Sequence, residues 1–80
     1  MLPIQFNPLT MIPIELAADG HVDLRVYDML GRVVAVLIDG MIAAGRRDVP
    51  FNVTGLASGV YVSVMRAGRV QVARTMMLMR

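Results

Sequence analysis

The chain has 80 residues, 56% of them hydrophobic, with no cysteine and a formal net charge of +2. This length allows one domain, over residues 1–80, and the missing cysteines exclude a disulfide framework. All eight cations are arginines, and with only two tyrosines and two phenylalanines they do not form the aromatic-interleaved basic stripe of a nucleic-acid interface. The composition therefore predicts no nucleic-acid partner.

Nothing in the hydropathy pattern indicates an integral membrane protein. The longest uninterrupted apolar stretch covers residues 33–38, far short of the roughly 18 residues of a membrane-spanning helix. The start, "MLPIQFNP", has no basic leader and is broken by polar residues and proline. We therefore expect any secretion signal peptide to lie upstream, on a longer precursor.

The first part of the chain predicts a linker-like start followed by an edge strand. Residues 1–9 show no sustained pattern, so we expect a linker there and a sandwich over residues 10–80. In "TMIPIELA", Ile12, Ile14 and Leu16 share one face. Pro13 cannot donate a ladder hydrogen bond, which favours an edge strand.

The next segment predicts a half-buried strand and two turns. In "HVDLRVYD", Val22, Leu24 and Val26 alternate with polar residues, and this is typical of a strand with one buried face. In "YDMLGR", Asp28 is suited to cap a turn and Gly31 to take a positive φ. The Asp39–Gly40 pair predicts a second turn.

The second half predicts three more strands. Pro50 places the strand around "RDVPFNV" at an edge. In "GVYVSVMRA", three valines alternate with Tyr61, Ser63 and Met65. In the terminal strand, Val70, Val72, Met76 and Leu78 share a face that only Arg74 interrupts. Six or seven such strands bury their apolar faces only if two sheets pack together, so we expect a small all-β sandwich.

Groups that could do chemistry are scarce. The chain has one histidine, His21, one glutamate, and the serines Ser58 and Ser63, with no pattern of a catalytic triad. The five aspartates lack calcium-loop spacing, so turn capping is expected, with a structural calcium ion between loops as the alternative. We therefore predict no enzyme activity, no cofactor and no metal site. The eight methionines fit either adaptable core filling or, at the C-terminus, a recognition surface.

Several stretches in a fixed order carry a family resemblance. "FNPLT", "VYDMLGRVV", "LIDG", "AAGRRDV", "GLASGVYV" and "TMMLMR" follow one another along nearly the whole chain. In this order the chain resembles the type A C-terminal sorting domain of cargo proteins of the bacterial type IX secretion system. The resemblance implies an immunoglobulin-like β-sandwich of about seven short antiparallel strands in two sheets.

The resemblance also implies a function. Such a domain is a non-catalytic signal, fused behind a cargo protein, that directs it through the outer-membrane translocon to the cell surface, where a sortase usually removes the domain. Its terminal strand would present backbone edge groups and alternate side chains to the secretion machinery. The residues that match the two signal motifs are Ser58, Gly59, Val60, Tyr61, Arg74, Met76, Met77, Leu78, Met79 and Arg80.

Two alternatives stay open at this point. Hook-capping proteins of flagella have similar stretches, so the chain could be a structural or adhesive immunoglobulin-like module. Exposed apolar edge strands would also suit a self-assembling surface subunit, that is, a homo-oligomer.

Overall fold

The computed structural model describes residues 2–5 and 9–79, with side chains described for 9–79. In chain order the strands are β1 (Leu2–Gln5), β2 (Leu9–Leu16), β3 (Gly20–Tyr27), β4 (Val33–Ile42), β5 (Gly45–Asn52), β6 (Gly59–Ala67) and β7 (Val70–Met79). Six of them, β2–β7, have described side chains and build the core. No helix occurs in these ranges, and the all-β prediction is confirmed.

The strands form two sheets, as predicted. One sheet has the order β1-β7-β6-β3-β4, and the other pairs β2 with β5. All pairs are antiparallel except β1 and β7, which run parallel. The expectation of antiparallel pairing throughout is therefore wrong at this pair. These two strands come from opposite ends of the chain, so no hairpin dictates their direction.

The small sheet accommodates Pro13 and Pro50. Pro13 lies opposite Asp48, and Pro50 lies opposite Met11. Each strand of a two-stranded sheet has one unpaired edge, where a residue without an N–H group loses no ladder hydrogen bond. The edge positions predicted from Pro13 and Pro50 are confirmed.

The core lies between the two sheets. β3 contributes Val22, Leu24 and Val26, all at most 1% exposed, and the small sheet contributes Phe51 at 1%. Full burial of such a side chain stabilises the fold by about 1.5–3 kcal/mol. The other buried hydrophobic residues of this cluster are Ile12, Ile14, Leu16, Val49, Val53, Tyr61, Met65, Met76 and Leu78.

In strand β6, the side chains of Tyr61, Ser63 and Met65 point towards the core, and Val60 and Val62 on the other face are half-buried. Met65 and Ser63 lie opposite the buried Leu24 and Val26 of β3, which fixes the face that points inwards. Ser63 is the only buried polar residue among the side chains of residues 9–79. Within the same range, no buried side-chain nitrogen or oxygen lacks a hydrogen-bond partner.

The turn predicted at Asp39–Gly40 is wrong. Both residues lie inside β4, opposite Asp23 and Val22 of β3. The chain reverses at residues 43–44 instead, where the Ala44 N–H donates to the Asp19 carboxylate at 2.7 Å. A distant loop therefore fixes this turn, and local sequence does not reveal such a contact.

The linker-like start predicted for residues 1–9 also differs from the structure. Residues Leu2–Gln5 form strand β1, with Leu2 opposite Met76 and Gln5 opposite Met79, and β2 already begins at Leu9. The four-residue alternation of apolar and other residues in "LPIQ" has the period of a strand, but it is too short to be distinctive.

Candidate functional site

The two predicted signal segments lie side by side. Gly59 is paired with Leu78, Val60 with Met77, and Tyr61 with Met76, all in the antiparallel β6–β7 ladder. The first segment begins β6 and the second ends β7, so both belong to one end of the large sheet. Motifs that are separate in the sequence therefore form one continuous surface.

The terminal strand divides its side chains between two environments. Met76 and Leu78 are each 2% exposed and belong to the core. Met77 and Met79 alternate with them on the outer face and are half-buried, while Arg74 is exposed. Arg80 lies outside the described residues. The inward pair fixes the strand in the fold, and the outward pair remains accessible to a partner.

Tyr61 holds the start of β6 in place. Its hydroxyl donates to the carbonyl oxygen of Ala57 at 2.6 Å, and the side chain is 8% exposed. Gly59, between these two residues, has a φ of 154°. The hydrogen bond closes the corner that contains Ser58 and Gly59. Tyr61 is thus a positioning residue and not an exposed contact.

Recognition through an open backbone edge was expected at the terminal motif, and this expectation is wrong for residues 76–79. β6 flanks this part of β7 on one side and β1 flanks it on the other. Both sets of backbone groups are therefore engaged in the sheet. Side chains on the outer face, chiefly Met77 and Met79, are what this end of β7 offers a partner.

The Asp28 turn is fixed by its carboxylate. The N–H groups of Leu30 and Arg32 donate to Asp28 Oδ1 at 2.9 and 3.0 Å, and Arg32 Nε donates to Oδ2 at 2.8 Å. The Gly31 N–H donates to the Asp28 carbonyl at 3.1 Å, and Gly31 has a φ of 81°. The hydrogen bonds from Arg32 and Leu30 hold the pKa of the Asp28 carboxyl below its usual value of 3.8.

The same turn exposes an apolar pair that the sequence analysis did not single out. Met29 is 69% exposed and Leu30 is 79% exposed. The turn follows Tyr27, which lies opposite Val62 on β6, so it projects towards the end of the sheet where Val60 and Met77 lie. The sequence feature that could have revealed this exposed pair is the position of two large apolar residues inside a turn, between Asp28 and Gly31.

Two further pairs of charged or titratable side chains lie on the surface of the large sheet. Arg25 Nε donates to the Asp23 carboxylate at 2.9 Å, which raises the pKa of Arg25, and His21 Nε2 lies 3.1 Å from Asp39 Oδ1.

Among the described side chains, no group of three or more His, Cys, Asp or Glu residues could hold a metal ion. In the part of the chain that the structure describes, no helix is long and apolar enough to cross a membrane.

Comparison with known proteins gives one finding. A family model described as "Secretion system C-terminal sorting domain" matches residues 6–79. Searches of curated proteins and of solved structures give no significant match. The matched range includes the Asp28 turn, the Ser58–Tyr61 corner and all of β7.

Proposed function

Because the chain belongs to the type IX secretion C-terminal sorting domain family, we propose that it directs a fused N-terminal cargo through the outer-membrane translocon. One observation carries this proposal beyond the family match: the two signal segments are neighbouring strands, with Val60 opposite Met77. Their outer face presents Met77 and Met79, whose flexible side chains suit an adaptable contact. Residues 1–80 act as one such domain.

The geometry supports an immunoglobulin-like sandwich as the fold of this domain. A tyrosine at the start of a strand, bonded through its hydroxyl to a carbonyl a few residues upstream, is a hallmark of immunoglobulin-like sandwiches. Tyr61 and Ala57 have this arrangement. The two sheets pack their apolar faces together, as sandwich folds do.

The domain acts as a targeting signal and not as an enzyme. Ser63 is buried in the core, and His21 lies on the outer sheet surface beside Asp39. These groups do not converge on a cleft, as a nucleophile and its base must. Its partners are the cargo, the translocon and a surface sortase, and the domain is exported through the periplasm to the cell surface or the extracellular space as part of a longer precursor.

A reporter protein tests the proposal. It carries a signal peptide at its start and residues 1–80 or 1–73 at its end, in a host that has the type IX system. We expect surface delivery with the complete domain and none with the shortened one. Since the deletion removes the buried Met76 and Leu78, circular dichroism of the shortened domain must accompany it. Equal delivery by both forms, or no delivery by either, would refute the proposal.

A second candidate function, self-assembly at the cell surface, is favoured by strand β4. This strand is an edge of the large sheet, and its Val33, Val36 and Met41 are 45%, 52% and 73% exposed. Exposed apolar edge strands invite pairing with another copy. A mass that rises with concentration in light scattering would support a homo-oligomer, and a monomeric mass over the whole range would exclude it.

A further inference from the structure

The edge of β7 that points away from β6 is covered over only part of its length. β7 has ten residues, and β1 pairs with four of them, residues 76–79. The other six, residues 70–75, have no strand beside them on that edge among the residues that the structure describes. Such an edge leaves alternate backbone N–H and C=O groups ready to pair with another strand.

Two valines of this open stretch are left uncovered. Val70 and Val72 are 57% and 38% exposed, although they lie on the face of β7 that buries Met76 and Leu78 further along. Val72 lines a groove towards β2, whose other walls include Ile14. Along residues 70–75, the outer backbone edge of β7 therefore has no neighbouring strand among the described residues, and Val70 and Val72 are not covered by other side chains.

The direction of β1 identifies what can fill this place. β1 runs parallel to β7, with Leu2 opposite Met76 and Ile4 opposite Leu78. Chain that continues β1 backwards therefore passes residue 75 first and residue 70 last. We propose that the segment joining the cargo to Met1 in the precursor pairs in parallel with residues 70–74 of β7, since the register of β1 brings chain that precedes Met1 opposite residue 74 first. This inference rests on the proposed function, because a fused precursor supplies that segment.

Tethering favours this segment over a second copy of the domain. The segment joins the chain just before the start of β1, next to the open edge, so its effective concentration there is on the order of millimolar or more. A second copy would instead bring together edges that carry Arg69 and Arg74 and no acidic residue between them. Like charges across a strand pair are destabilising.

Amide hydrogen exchange tests the proposal. Exchange at residues 70–74 is compared between the chain that begins at Met1 and a precursor form that carries the preceding native segment. We expect exchange in the extended form to be slower by about tenfold or more, as for newly paired strand amides. A matched extended form, with proline at alternate positions of the segment, should lose this protection. Strand β3 in the sheet interior is the internal reference for folding.

Equal exchange in all three forms would overturn the proposal. Protection of the Met1 form that disappears on dilution would also overturn it, since a second copy would then occupy the edge. The test does not depend on secretion. Protection without surface delivery would refute the sorting function alone, and delivery without protection would refute the pairing alone.

Discussion

Val60 and Met77 lie directly opposite each other on β6 and β7. Their pairing joins the Ser58–Tyr61 corner to the terminal strand, so that neither segment keeps its position without the other. The buried side of this unit, Tyr61 and Met76, belongs to the core. The proposed recognition surface therefore lies on the opposite face of the same strands from the core, and substitutions can test the two faces separately.

Substitution of Tyr61 tests the corner. Tyr61→Phe removes the hydroxyl that donates to the carbonyl oxygen of Ala57 at 2.6 Å. We expect a loss of about 0.5–1.5 kcal/mol in the free energy of unfolding. For a domain of this size, each kcal/mol lowers Tm by about 4–8 °C. Thermal unfolding followed by circular dichroism measures the shift.

Tyr27→Phe is the matched control, since the Tyr27 hydroxyl only accepts a long 3.5 Å hydrogen bond from Arg66. We expect it to change stability by less than about 0.5 kcal/mol. If both variants melt at the temperature of the wild type, the corner does not stabilise the fold.

Neighbouring methionines of β7 should differ sharply in their contribution to stability. Met76 is 2% exposed and Met77 is half-buried on the outer face. Met76→Ala leaves a cavity in the core and should cost about 2–5 kcal/mol, whereas Met77→Ala should cost less than about 1 kcal/mol. Urea denaturation gives both values, and similar losses for the two variants would contradict the assignment of faces.

Two glycine substitutions distinguish the real turn from the wrongly predicted one. Gly31 has a φ of 81°, where a side chain strains the backbone, so Gly31→Ala should cost about 1–2 kcal/mol. Gly40 lies within β4 with no atom within 4 Å of an added Cβ. Gly40→Ala should therefore be neutral or slightly stabilising. A larger loss at Gly40 than at Gly31 would contradict the strand assignment.

The Asp28 carboxylate makes stability depend on pH at the acid end. Its pKa in the folded protein lies below the usual 3.8, so the ionised group adds stability above pH 3.8. That contribution is lost as the pH falls from about 3.8 through the lower folded value. Unfolding of Asp28→Asn, measured by urea denaturation from pH 7 to pH 2, should approach that of the wild type as the pH falls.

Asp48→Asn removes an exposed carboxyl from β5 and serves as the matched aspartate control for Asp28→Asn. A wild-type advantage over Asp28→Asn that stays constant down to pH 2 would show that the carboxylate charge does not stabilise the turn.

The alternation of apolar and polar residues along the sequence predicted burial correctly in β3. Val22, Leu24 and Val26 are buried as predicted, because β3 has a neighbour on each side and the small sheet across the core. The same alternation placed Val70 and Val72 on one face with Met76. Those valines are nevertheless exposed, since the extent of the facing sheet is a tertiary property that a period of two does not contain.

Long-range contacts account for what the sequence did not predict. Asp39 and Gly40 look like a turn, yet pairing with β3 keeps them in a strand, and a carboxylate from another loop fixes the true reversal. The parallel strand β1 depends on the opposite end of the chain. By contrast, the two signal segments were predicted by family resemblance, and the structure adds that they lie side by side.

The central claim is that the secretion machinery recognises the outer face of the terminal strand. The most direct test is surface delivery of the reporter carrying Met77→Ser together with Met79→Ser, with Met11→Ser and Met41→Ser as the matched pair. Met11 and Met41 are 50% and 73% exposed and lie on β2 and β4. We predict that the first pair abolishes delivery while the domain stays folded, and that the second pair leaves delivery unchanged. Normal delivery of a folded Met77→Ser, Met79→Ser domain would contradict the claim.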